Sequence, residues 1–313
     1  MSLRIGLVVP PPLPANLDLR HAEIAERQGY DSIWVGEHIA GHVPTLDALT
    51  VLSAFAARTS RIGLGTAIVL LPLKTPASVA KAASTVDVIS GGRLTLGVGV
   101  GGEIPKEFEV SGVPIGERGA RADEAIEILR KLWRAPGATH KGRFHQFADI
   151  DMQPRPVRAG GVPIVIGGRS EGALRRAALL GDGYMGLFYT PERYAEAIGK
   201  IERYATEGGR SLQSFERLMY QYVFVAPTRP QAFERANVFL SHTHGISFEK
   251  HIDRFCAIGT VRECVESLGG YLAAGVEHLM LVPTVLDARE FAEQAEVCAD
   301  EIVPELRRRG QVA

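Results

Sequence analysis

The chain has 313 residues, 46% hydrophobic and 23% charged, with a net charge of −1. That balance belongs to a folded globular protein and carries no electrostatic footprint for nucleic acid or an anionic membrane surface. No apolar run reaches the ~18 residues that span a bilayer, no signal-peptide pattern opens the chain, and Cys256, Cys264 and Cys298, without a C-x-x-C pair, predict reduced thiols in a cytoplasmic protein with no structural zinc.

Eight short apolar runs follow in order: Ile5–Val9, Ser32–Val35, Ile62–Thr66, Leu94–Val98, Ile164–Ile166, Tyr184–Gly186, Tyr220–Ala226 and His278–Val282. They are continuous rather than alternating, as in parallel strands covered on both faces. Helical stripes lie between them. Ala122, Ala125, Ile126, Leu129, Leu132 and Trp133 fall on one face of a helix over 120–133. Thr75-Pro76 and Thr190-Pro191 mark helix starts, Thr260-Val-Arg-Glu263 is a capping box, and Gly275 follows a last turn. Eight strand–helix units in one chain predict an α/β fold, a single (β/α)8 TIM barrel over 1–313, with extended rim loops at 99–120 and 227–259. An open doubly wound sheet is the alternative. The basic run Arg307–Arg309 predicts a solvated helix end.

The active site of such a barrel forms at the C-terminal ends of its strands. Glu37 and His38 follow the second strand, where an acid beside an imidazole can set its tautomer. Neighbours on an extended chain point opposite ways, so at most one faces the centre. Gly97-x-Gly99-x-x-Gly102 has the letters of a dinucleotide turn, but no long helix starts at Gly102, and position 122, about 20 residues on, is alanine rather than an acid. These glycines instead predict that something large lies against the strand end. Glu103 and Glu107 follow in the same loop, and either can supply an acid at the mouth. Gly167, Gly168, Arg169 and Ser170 lead from the fifth strand into a helix, a turn that suits a phosphate. His242 and His244 read as surface-loop histidines rather than metal ligands.

Taken in order, "GYDSIWVGEH", "RIGLGTAIVLLPLKTP", "VDVISGGRLTLGVGVGG", "KEFEVSGVPIGERGARADEAIEILRKLW", "HKGRFHQFADIDMQPRPV" and "VPIVIGGRSEGALRRAALLGDGYM" resemble the luciferase-like family of flavin- and deazaflavin-dependent oxidoreductases. The resemblance implies coenzyme F420, or alternatively FMN, in the barrel mouth. It implies a non-proline cis peptide at Ala67–Ile68 behind the ring, the cofactor phosphate on Gly167, Gly168 and Ser170 with Arg169 nearby, and Gly99, Gly101 and Gly102 close to the cofactor. His38 matches a catalytic histidine of deazaflavin-dependent members, with Glu37 before it, and the family's catalytic glutamate matches Glu103 or Glu107. The implied reaction is hydride transfer between F420 and a small organic substrate. Its rivals are an FMN-dependent monooxygenase, a non-redox phosphate-binding isomerase or lyase, and a non-catalytic flavin-binding protein. A homodimer is implied too. Phe108, Tyr189 and Phe239, in or beside the rim loops, predict room for an apolar or aromatic group.

Overall fold

In a computed structural model of the chain, residues 3–10, 18–41 and 43–312 are described. The strands are β1 (Arg4–Val9), β2 (Ser32–Val35), β3 (Gly63–Thr66), β4 (Val69–Leu70), β5 (Leu94–Gly99), β6 (Ala138–Lys141), β7 (Gln146–Ile150), β8 (Ile164–Gly167), β9 (Gly183–Leu187), β10 (Glu216–Val225), β11 (Cys256–Gly259) and β12 (His278–Pro283). Among them, β1, β2, β3, β5, β8, β9, β10 and β12 pair in that order, all parallel, and β12 returns to β1. The sheet is a closed eight-stranded barrel, as the sequence predicts.

Alternation along the strands sends one set of side chains into the lumen and the other against the helices. Gly6, Ser32, Trp34 and Gly65 face inward, because a Cβ on Gly65 would lie 2.1 Å from the Trp34 ring and one on Gly6 2.6 Å from Ser32 Oγ. Glycine on both neighbouring strands is what lets one indole fill this level. Ser32 Oγ accepts from Trp34 Nε1 at 2.7 Å and lies 2.8 Å from His278 Nε2, closing a polar floor beneath the site. Burial, with Arg4 nearby, holds the His278 imidazole down to about 3.

Two elements escape the sequence reading. The segment 227–259 is not an open loop: it holds a helix over Arg229–His244, and β11, which pairs with the C-terminal half of β10 beyond the stretch that β9 covers. Four residues bounded by turns are too short to signal a strand by periodicity. The hairpin β6–β7 folds back on the helix Arg118–Arg134, where the Glu124 carboxylate accepts the amides of Arg143, Phe144 and His145. Helix starts follow the sequence at Thr75, Thr190, Ser170 and the Thr260–Glu263 box, although the Thr75 hydroxyl bonds Ser78 Oγ instead of capping the backbone. His242 and His244 end a helix rather than lying in a loop. Arg307 is tied to Asp31 at 3.0 Å rather than only solvated.

Candidate active site

Past β2 the two adjacent candidates part. Glu37 turns outward and is buried. Its carboxylate accepts the amide of Ala48, at the start of the helix Ala48–Arg58, and pairs with Lys74 Nζ at 3.0 Å. Lys74 also holds Asp47 at 2.5 Å. Burial raises the Glu37 carboxyl against the pull of Lys74. Lys74 is itself raised: burial opposes its charge, but Glu37 and Asp47 outweigh it. Glu37 is therefore committed to an ion pair behind the rim.

His38 takes a different partner. Its Nδ1 lies 3.2 Å from Glu107 Oε1, and the same oxygen accepts the amides of Ile39 at 2.7 Å and Ala40 at 3.4 Å. Thr45 Oγ1 accepts the His38 amide and donates to its carbonyl, both at 3.0 Å. Glu107 is 1% exposed, on the short helix Pro105–Val110. That helix is anchored by Phe108, which packs with Leu70 and Leu73 against Ile68 and Val113. Glu103 stands apart from the pair, exposed on the rim. Tyr222 is pushed well up, by burial first, then by Tyr220 and Cys256, and the Glu103 charge adds to the push from across the mouth. The fold thus brings His38 and Glu107 together and keeps Glu37 and Glu103 away from that contact.

The Ala67–Ile68 bond is cis, at the position implied by the family resemblance. Its surroundings explain the glycines. A Cβ on Gly36 would lie 2.7 Å from the Ala67 carbonyl oxygen, and one on Gly97 2.0 Å from that of Thr66. A Cβ on Gly99 would lie 1.9 Å from Ile68 Cδ1, and one on Gly167 3.2 Å from Ile68 Cγ2. The large group against the strand end is the Ile68 side chain. Gly101 and Gly102 have φ of 62° and 119°, a left-handed backbone that glycine adopts without steric penalty. No helix begins at Gly102; the next one starts at Pro105.

Across the mouth, β8 ends at Gly167, and Gly168 follows it with φ 128°. Arg169 and Ser170 are exposed. Ser170 caps the helix Glu171–Leu180 by accepting from the Ala173 amide at 3.2 Å, which leaves earlier amides of that first turn without intrahelical partners. Tyr184 donates to the Gly168 carbonyl at 2.9 Å and fixes the turn from below. The Arg169 guanidinium lies 5.7 Å from the centre of the Phe188 ring.

The aromatic residues singled out in the sequence do not line the mouth. Phe108, Tyr189 and Phe239 are buried in the packing, with 3%, 9% and 1% exposure. The partly exposed rings are instead Phe188, Tyr220 and Phe255, with the buried Tyr222 packed behind them. Phe188 directly follows β9 with φ 53°, stacks on Tyr222 at 5.6 Å and meets Phe255 at 5.7 Å. Tyr220 meets Tyr222 edge-on at 5.5 Å. Tyr220-x-Tyr222 in one strand was the legible signal, since period two puts both rings on one face. Nothing local foretells the left-handed turn at Phe188.

The luciferase-like monooxygenase family model matches residues 11–278. The chain belongs to this family. Among similar members, an F420-dependent glucose-6-phosphate dehydrogenase of Microbacterium testaceum is 28% identical, over 91% of this chain and 92% of that protein. A 4-hydroxyprotoasukamycin monooxygenase of Streptomyces nodosus subsp. asukaensis is 31% identical over 69% of this chain and 61% of its own length. The barrel superposes on the monooxygenase RslO1 of Streptomyces bottropensis with a TM-score of 0.85 at 23% identity, covering 96% of this chain and 99% of that one. It superposes on an F420-dependent secondary alcohol dehydrogenase with a TM-score of 0.84 at 22% identity, covering 98% and 99%. At these identities the two superpositions establish the shared fold.

Proposed function

We propose that the chain is an oxidoreductase that moves a hydride between coenzyme F420 and a small organic substrate. The carrying observation is His38, a rim imidazole oriented by a buried carboxylate, on the same rim as the Gly167–Ser170 turn. The full-length similarity to F420-dependent dehydrogenases supports F420 over FMN.

The residues fit such a cofactor. The exposed turn Gly168, Arg169 and Ser170 offers helix-end amides, a hydroxyl and a guanidinium to a phosphate. Ile68, seated on Gly99 and Gly167, offers an apolar bulge for a planar ring. Bound there, F420 or FMN supplies a two-electron hydride carrier. His38 serves as acid or base for the substrate proton at Nε2, and Glu103 is the second carboxylate over the mouth. The wall of Phe188, Tyr220 and Phe255, backed by Tyr222, shields the reacting groups from water and favours a substrate with an apolar or aromatic part.

The chain is proposed to act as a homodimer in the cytoplasm. Three unpaired, buried cysteines accord with a reducing compartment; light scattering of the purified protein reads the dimer directly.

Parallel fluorescence titrations with F420 and FMN test the reading. Micromolar or tighter F420 binding with weak FMN binding, followed by substrate-dependent reduction when alcohols and enones are screened, is the expected result. Tight FMN binding with oxygen consumption by the reduced form would make the chain a monooxygenase. Cofactor binding without redox turnover would point to a flavin-binding protein. Binding of neither would favour a phosphate-ligand barrel.

A further inference from the structure

We propose that Glu107 is a positioning residue for His38: it accepts a hydrogen bond from Nδ1–H and so presents the Nε2 lone pair to the mouth. This rests on the acid/base role given to His38 above and names the residue that prepares it.

The hydrogen-bond directions decide the tautomer. Glu107 Oε1 receives the amide of Ile39 at 2.7 Å, so this oxygen acts as an acceptor. The His38 nitrogen facing it at 3.2 Å must then be the donor. In a neutral imidazole the other nitrogen is left as the acceptor. A free histidine has no such constraint.

The burial of Glu107 lacks another explanation. A carboxylate taken from water normally finds a cation. Glu37 does so with Lys74, but among the described residues the ion-pair contact of Glu107 is with His38 alone. A direct proton role is disfavoured by 1% exposure and by the triple use of Oε1. Ile68 connects the parts: it packs with Phe108, beside Glu107, and fills the space over Gly99. The cofactor bulge and the histidine clamp are therefore set by one piece of packing.

The test uses wild type, Glu107→Gln, Glu107→Ala, His38→Ala and the double variant His38→Ala/Glu107→Ala. Ring-nitrogen NMR of the protein without added cofactor reads the His38 tautomer. The Nδ1–H form is expected in wild type and Glu107→Gln, and a shift toward Nε2–H in Glu107→Ala. In turnover, Glu107→Gln, which keeps an acceptor oxygen for Nδ1–H, is expected to lose several-fold less than Glu107→Ala. Glu107→Ala is expected to lose roughly 10- to 100-fold in kcat with KM nearly unchanged, and to lose nothing further once His38 is alanine. An Nε2–H tautomer in wild type would overturn the proposal. So would a Glu107→Ala loss that persists in full without His38, since Glu107 would then act on the substrate itself. If Glu107→Ala does not fold, wild type and Glu107→Gln still decide the tautomer. Absence of turnover with either cofactor would defeat the oxidoreductase reading while leaving the NMR result to judge the clamp.

Discussion

The Ile68 side chain occupies the space that a Cβ on Gly99 would need, with Cδ1 only 1.9 Å from that position. The glycine run at the end of β5 is therefore a socket for the residue after the cis bond, and a dinucleotide turn is not required to account for it. Gly99→Ala is expected to displace Ile68, lower stability by about 1–3 kcal/mol and weaken cofactor binding. Adding Ile68→Ala should restore much of the stability, because the obstructing methyl is gone, but not the affinity. Denaturation and fluorescence titration of the single and double variants read both effects.

Replacing His38 tests the chemistry. His38→Ala is expected to lower kcat by about 100-fold or more, with cofactor affinity nearly unchanged. Unaltered turnover would remove His38 from the reaction.

Ser170 combines two roles that different substitutions separate. Ser170→Ala removes the cap on the Ala173 amide and is expected to lower stability by about 1 kcal/mol. Cofactor affinity should fall about tenfold through the lost hydroxyl. Ser170→Asp keeps the cap but sets a negative charge beside the proposed phosphate. It should hold its melting temperature and lose affinity.

The barrel floor predicts a pH dependence. Burial holds the His278 imidazole neutral, down from 6.5 to about 3. The unfolded chain recovers the ordinary value and binds the proton first. The contribution is therefore complete above about pH 6.5 and is lost as pH falls toward 3, up to roughly 5 kcal/mol in all. Urea midpoints between pH 7 and pH 4.5 should fall more steeply for wild type than for His278→Gln, which has no imidazole to charge.

The sequence by itself determined the barrel. Unbroken apolar runs, each handed to a one-faced helix, admit few arrangements other than parallel strands covered outside and packed within, and those runs became the eight barrel strands. It also placed the candidates on the functional rim, since rim position follows from where strands end. Only the tertiary structure decided what each candidate does. Glu37 and His38 are neighbours in sequence, yet one is spent on Lys74 and the other meets Glu107, 69 residues away. Glu103 and Glu107 are equivalent as letters in a loop, and a short helix docked through Phe108 separates them into an exposed acid and a buried clamp. The aromatic wall depends on a left-handed residue at Phe188. Periodicity records which face a side chain takes within its own element. Partners brought by distant elements are fixed by packing, which leaves no local pattern to read.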